Sequence, residues 1–323
     1  MEKVRRQHYV PRMYLKRFGY GNKDNEYITV LKLDDGTVMD NRKVENFAVA
    51  NYFYDTNKEQ LMEILKEDLE IFSELCDSEE LLDEQFTEHT LANEEAAISN
   101  MLNDLQEDLS KICISRNRSL MIIFLHSLAY RTKQFRDQMD TINDKTEEVL
   151  NSMCDNLGFD EDTKKKTVET NCSVGKNTQL YQILGIKPVL ETMKMLLNNY
   201  DWYEAVNNTE LDFVVSDNPA HAVRVGFNDI CIPISCNKAV ILRIKDKTAP
   251  LISKDMPENG VINLSLNSVI AYNCILCCSA CCLFSSMDSI ACQGHPRKSG
   301  VYLPFICDWI WRPFLLRLKI AFY

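Results

Sequence analysis

Leu211-Asp212-Phe213-Val214-Val215 and Ala239-Val240-Ile241-Leu242-Arg243-Ile244 decide the fold, because after Asp201 the apolar period falls from helical spacing to the two of a strand. Pro233 stands near the start of the second pairing unit. Upstream the spacing is helical. Leu61, Leu65, Leu69, Phe72 and Leu75 form one set, and Ile98, Met101, Leu102, Leu105, Leu109 and Ile112 a second, so two amphipathic helices with acidic outer faces are expected. A third, from Ser119 to about Met139, is apolar nearly all round from Leu120 to Leu125, the mark of a central helix covered on several sides. Helical signals continue at 145–158 and 178–198, where Pro188 suits a first turn. Near the start, Tyr27-Ile28-Thr29-Val30-Leu31-Lys32-Leu33 alternates as a strand and Asp34-Asp35-Gly36 closes it as a hairpin turn, while Phe47 to Tyr54 is a second strand or a buried connector. Strands, helices, then strands again give an α+β fold: an N-terminal β-hairpin region, a helical middle, and C-terminal strands packed with helices.

The 323 residues are 46% hydrophobic and 26% charged, which fits a globular protein and excludes disorder, collagen-like repeats and a disulfide miniprotein. One composite domain is expected over residues 1–290, followed by an atypical tail at 291–323. The net charge of −11 is polarised. Residues 57–110 hold 17 Asp or Glu against Lys58 and Lys66, whereas Lys3, Arg5, Arg6, Arg12, Lys16 and Arg17 face only Glu2 in the first 18 positions. That basic arm either offers an anion site or pairs with the protein's own acidic helices. Met1 to His8 has no apolar signal core, so the 13 cysteines are expected to be reduced thiols of a cytoplasmic protein. Cys274, Cys277, Cys278 and Cys281 make two abutting Cys-x-x-Cys pairs, but a zinc site draws its pairs from separate knuckles, so no zinc site is expected and the stretch reads as a buried helix. Residues 259–287 lack charge, yet Asn263, Asn267, Asn273 and several serines argue against a membrane span. The tail, with Trp309 and Trp311 among Arg and Lys, is broken by Pro304 and Pro313; it is read as an appendage without a site, and membrane contact is not expected of it.

His8-Tyr9-Val10-Pro11 runs on into Tyr14-Leu15-Lys16-Arg17-Phe18. Pro11 at a first helical turn sets Tyr14, Leu15 and Phe18 on one face with Arg12 and Lys16 on the other. Here the chain resembles domain-of-unknown-function family 4238, whose hallmark is His-Tyr-x-Pro followed by such an aromatic run. Glu94-Glu95-Ala96-Ala97, Tyr130-Arg131-Thr132, Ser216-Asp217-Asn218-Pro219, Pro233-Ile234-Ser235, and Ala271-Tyr272-Asn273 with Leu283-Phe284-Ser285-Ser286 resemble its further motifs, so the resemblance covers about residues 6–290. It implies a fold but no reaction.

The residues themselves offer a candidate site. His8 is a general acid or base, or packs against the acidic helices. Asp217 follows a predicted strand, where a rigid element can hold a site carboxylate; alternatively Asp217 or Asn218 caps an Asx-turn. Arg131, on a buried helix, needs a carboxylate or phosphate, and Glu94 or Glu95 is the expected partner. His126 and His89 read as helix-face residues, and His221 as a possible neighbour of Asp217. Walker, dinucleotide, nucleophile-elbow and zinc-protease motifs are missing, so no nucleotide cofactor is expected. Two functions follow. One is a nuclease-like hydrolase of phosphodiesters with His8, Asp217, Arg131 and Glu94 or Glu95 in one site, and Arg5, Arg6, Arg12 and Asn218 binding nucleic acid or another phosphate-bearing ligand; a divalent metal is left open as cofactor. The alternative is a non-enzymatic ligand- or partner-binding module.

Overall fold

The computed structural model describes residues 3–22, 25–33, 35–66, 68, 83–171, 175–281 and 290–293. Leu69, Phe72 and Leu75 of the first helical set, Asp34 of the hairpin turn, the Leu283 to Ser286 motif and the tail from 294 lie outside them. The chain begins with β1 (Arg6–His8), α1 (Arg12–Leu15), β2 (Tyr20–Asn22), β3 (Asn25–Lys32), β4 (Val38–Lys43) and β5 (Val49–Asn51). The helices α2 (Lys58–Ile64), α3 (Phe86–Glu107), α4 (Ser115–Tyr130), α5 (Lys133–Leu157), α6 (Glu161–Asn171), α7 (Gly175–Leu184) and α8 (Ile186–Asn199) follow. The last part contains β6 (Tyr200–Asn207), β7 (Val214–Ser216), α9 (His221–Val225), β8 (Asp229–Pro233), β9 (Lys238–Ile244), β10 (Val261–Leu264), α10 (Leu266–Cys281) and β11 (Ile290–Gln293). The fold is α+β.

The central helix is α4, as its apolar wrap predicts. Met121, Ile122, Phe124, Leu125, Leu128 and Ala129 are all buried, and α3, α7, α8 and α9 pack around it. The helix expected over 119–139 is in fact two. It breaks at Arg131-Thr132, because the Thr132 hydroxyl accepts the Phe135 N–H at 3.3 Å and so opens α5 as an N-cap. The signal at 145–158 is the end of this same α5, which Gly158 closes at φ 69°. Leu109 and Ile112 leave the α3 helix for a 3-10 turn, where Asp108 accepts the Ser110 N–H at 3.0 Å. Residues 178–198 also divide, at Gly185, where a Cβ would lie 2.6 Å from the Tyr181 carbonyl oxygen.

Two sheets flank the helices. In one, β10, β6, β9 and β8 lie side by side in that order, β10 parallel to β6 and the rest antiparallel. In β9, Ala239 to Arg243 are buried without alternation, since both faces of the strand are covered. In the other, β4 pairs with one edge of β3, which confirms the hairpin, while β2 and β11 share the opposite edge. β11 also pairs with β7, so residues 291–293 of the expected tail belong to this sheet. Phe47 to Tyr54 supplies the short β5, whose partner is β1.

Candidate functional site

Arg131 stands where α4 ends, 2% exposed, and a guanidinium in that position must find partners. Its Nη1 donates to Glu95 Oε1 at 2.8 Å, its Nη2 to the His8 carbonyl at 2.6 Å, and its Nε to the Tyr54 hydroxyl at 3.3 Å. The partner left open between Glu94 and Glu95 is therefore Glu95. Burial works against the Arg131 charge, but the Tyr54 oxygen and the Glu95 carboxylate outweigh it and hold the guanidinium above its ordinary value.

The strand pair β1 and β5 places His8 opposite Val49, and the Tyr9 N–H donates to the Ala48 carbonyl at 2.8 Å. Gln7, fully buried, accepts the Tyr54 N–H at 2.7 Å and donates to Asp55 Oδ1 at 2.5 Å, so one amide aligns the segment carrying Tyr54 with the strand carrying His8. The His8 ring is half-buried, and its Nε2 has no hydrogen-bond partner among the described residues. Burial, then Arg131, Arg12 and Arg6, press its pKa down to about 4, so the imidazole is neutral at pH 7.

Helix α3 brings more acid than Arg131 can neutralise. Burial lifts the carboxyls of Glu88 and Glu94 to about 7 each, with the Arg131 charge opposing and Glu95 adding to the rise. A buried arginine bonded to Glu95, beside two carboxyls that titrate near neutrality and a neutral histidine, makes a cluster that can exchange protons with a bound group. Gln7, Tyr54 and Glu88 were not singled out in the sequence. Glu88 had a legible signal, lying seven residues before Glu95 on the same helical face.

Asp217 and Asn218 are buried in the turn after β7, where the Ser216 hydroxyl accepts the Asn218 N–H at 3.3 Å. The next element, α9, docks on the end of α4: Arg224 donates to the Ala129 carbonyl at 2.8 Å, two residues before Arg131. Arg224 also donates to His221 Nδ1 at 2.9 Å, and burial followed by that cation lowers His221 to about 4. Thus His8, Glu95 and Arg131 are joined directly, whereas Asp217 lies in the turn before α9, outside the bonds that join these three.

Most of the basic arm is engaged by the protein itself. Arg6 donates to the Glu45 carbonyl and to Asn46 Oδ1, both at 2.8 Å; Lys16 lies 2.6 Å and Arg12 3.8 Å from Glu26; Arg17 donates to Asn103 Oδ1 at 2.5 Å. Arg5 is exposed, and its side chain meets no partner among the described residues. His126 accepts from the Thr192 hydroxyl at 2.8 Å and donates to the Gln182 carbonyl at 2.6 Å, a buried bracket between α4, α7 and α8, and His89 sits 3.9 Å from Asp83. A groove of about 670 Å³ between α5 and α6, lined by Asp144, Glu147, Lys164 and Lys165 among others, contains none of the candidate residues. Among the described residues there is no group of three or more His, Cys, Asp or Glu placed to hold a metal ion, and no helix long and apolar enough to cross a membrane.

Another motif turns out to be architectural. The Tyr272 hydroxyl donates to the Asp229 carboxylate at 2.9 Å, and Asn273 accepts the Val214 N–H at 3.1 Å while donating to the Asp212 carbonyl at 2.9 Å. They pin α10 to the strands.

Fold and cluster together define an α+β protein in which a strand-borne histidine and helix-borne glutamates share one buried arginine. The chain belongs to the family described as protein of unknown function, DUF4238, whose model matches residues 6–280. No curated protein and no solved structure matches it.

Proposed function

We propose that the protein is a hydrolase of phosphodiesters in which His8 is the general base. The observation that carries this reading is the state of His8: a neutral imidazole with an uncommitted Nε2, surrounded by the guanidinium groups of Arg131, Arg12 and Arg6. Such a nitrogen is unprotonated at pH 7 and takes a proton only as the transition state forms, and the cations around it favour an anionic substrate. Water attacks phosphorus as its proton passes to Nε2; the phosphorus–oxygen bond to the leaving group breaks, and a protonated Glu94 or Glu88 supplies the proton to the departing oxygen. Arg131 is buried and committed to Glu95, Tyr54 and the His8 carbonyl, so its role shifts from holding phosphate to positioning His8. Arg5, Arg6 and Arg12 take over the anion, with Asp217 and Asn218 as orienting groups.

The test is hydrolysis of bis(4-nitrophenyl) phosphate by wild-type protein and by His8→Ala, Glu94→Gln and Asp217→Ala. His8→Ala should lower turnover by roughly 10²- to 10⁴-fold while leaving substrate binding intact. The same assay run with magnesium, manganese or a chelator reads out whether a divalent ion assists. A second reading, a partner-binding module without catalysis, is favoured by one observation: Lys3, Arg6, Arg12, Lys16 and Arg17 are each engaged within the protein. Wild-type protein that cuts no phosphodiester under any of these conditions supports that reading instead.

A further inference from the structure

Tyr52 is an exception to the economy of the fold. Its backbone is left-handed, φ 51°, a conformation that glycine or asparagine adopts at little cost and a bulky residue does not. The ring does not repay that cost by burial, since the residue is 45% exposed. Strain retained by a side chain that stays nearly half exposed points to a use outside the core. The backbone N–H of Tyr52 donates to the Arg5 carbonyl at 2.8 Å, so Tyr52 stands at the end of the β1/β5 pair, beside the residue that precedes β1 and lies three positions before His8. The Lys3 ammonium lies 5.5 Å from the ring centroid, itself held by Glu84.

The surroundings of this strand pair are cationic. Arg5 and Arg6 are exposed on the arm. Arg42 and Lys43 are exposed at the end of β4, where Lys43 pairs in register with Tyr27, the neighbour of the Glu26 that holds Arg12 and Lys16. The short turn after Lys43 carries Glu45 and Asn46, the acceptors of Arg6. Lys3, Arg5, Arg6, Arg12, Lys16, Arg42 and Lys43 thus lie around this strand pair with Glu26, Glu45, Asp55 and Glu84 among them, so the cations remain in excess. An exposed aromatic ring beside a basic path is the arrangement that holds unpaired nucleotides: cations follow the backbone phosphates while a base stacks on the ring, and a duplex, with its bases already stacked, cannot use the ring.

We infer that Tyr52 is a base-stacking platform on a basic path leading to His8, so that the substrate is single-stranded nucleic acid. This rests on the phosphodiesterase reading for its chemistry but is tested by binding. Labelled single strands of about 12 nucleotides, of RNA and of DNA, and the matching duplex are titrated by fluorescence anisotropy against the full chain carrying His8→Ala, so that no cleavage intervenes. The expected result is binding of the single strand in preference to the duplex. Tyr52→Asn should weaken it roughly 10- to 100-fold, and Tyr52→Phe should leave it nearly unchanged. Asparagine tolerates the left-handed backbone, so this variant keeps the fold, which circular dichroism checks. Arg5→Ala should flatten the logarithmic salt dependence by about 0.7. Equal affinity of Tyr52→Asn and its parent, duplex bound as well as single strand, or no binding of either would each overturn the inference. If bis(4-nitrophenyl) phosphate is cut but oligonucleotide affinity ignores Tyr52, the platform fails and the hydrolase stands. If affinity follows Tyr52 and no diester is cut, the hydrolase fails and the binding path stands.

Discussion

Two buried arginines, Arg131 and Arg243, are each set among a tyrosine hydroxyl and acid groups, yet their surroundings differ in kind. Around Arg243 the polar groups are closed in. Asp229 is 1% exposed, accepts from Tyr272 and from the Ser253 N–H, and lies 3.7 Å from the Arg243 Nε, while the guanidinium donates to the Asp255 and Ser253 carbonyls. One acid meets one base: burial raises the Asp229 carboxyl and the Arg243 Nε finds no hydrogen-bond acceptor among the described residues, but no second carboxyl crowds the pair. Around Arg131 there is a surplus: Glu95 bonds it directly, but Glu88 and Glu94 titrate near 7, and His8 keeps an uncommitted nitrogen. A network that matches one acid to one base serves the fold; one with surplus carboxyls can do chemistry.

The sharpest way to break this contrast is to disable one member of each. His8→Ala should lower kcat/KM on a phosphodiester by roughly 10²- to 10⁴-fold with little change in stability. Tyr272→Phe should leave kcat/KM within about twofold while costing about 1 to 3 kcal/mol in urea unfolding, since a buried carboxylate loses a donor. Turnover lost equally in both variants would mean that the two networks are not distinct in role.

Next in size are the arginines themselves. Arg131→Met and Arg243→Met should each cost about 3 to 5 kcal/mol, because each leaves buried partners uncompensated. Adding Glu95→Leu to the first should recover part of the loss without restoring turnover, whereas stability unmoved by Arg131→Met would show that the cluster does not hold α3, α4 and β1 together.

A smaller effect separates the regions by pH. Glu88 and Glu94 have folded values near 7, above their unfolded values, so the native state holds the extra protons and their contribution to stability is lost as pH rises through 7. His8 and His221 have folded values near 4, below their unfolded values, so the unfolded state binds more protons and stability rises with pH between about 4 and 6.5. The opposing slopes should leave wild-type thermal stability nearly level over that window. In Glu88→Gln/Glu94→Gln the histidine slope should emerge, and stability above pH 7 should exceed wild type; a double variant that tracks wild type at every pH would remove the titrating surplus from the account.

The smallest effect is expected at the tail. Removing residues 294–323 should alter neither unfolding nor turnover, whereas ending the chain at 289 removes β11 and should destabilise the protein by scanning calorimetry. If both truncations unfold alike, the tail contributes to the fold.

Much of this was legible in periodicity. Ile98, Met101, Leu102 and Leu105 are buried where helical spacing puts them, and the all-round apolar run from Leu120 marks the helix that the rest surround. The break at Arg131-Thr132 was hidden because the apolar pattern runs across it, and what reverses the chain is a single hydroxyl cap. Arg131 announced its need for an acid; which acid, and that Tyr54 and Gln7 hold the frame, depend on contacts between distant segments that carry no local signal. Arg243 gave no warning either, since it occupies an apolar strand and its partner Asp229 starts another.

The position of β11 also sets an order of events. It lies between β3 and β7, yet it is the last of these three strands to leave the ribosome. Until residue 293 emerges, β3 and β7 each carry a row of unpaired backbone groups along the edge that β11 will fill. The N-terminal hairpin can form early, but its sheet closes only when contacts spanning nearly the whole chain are made, a slow step by loop-closure entropy. Those waiting edges are where a nascent chain would recruit a chaperone or pair wrongly with a neighbour.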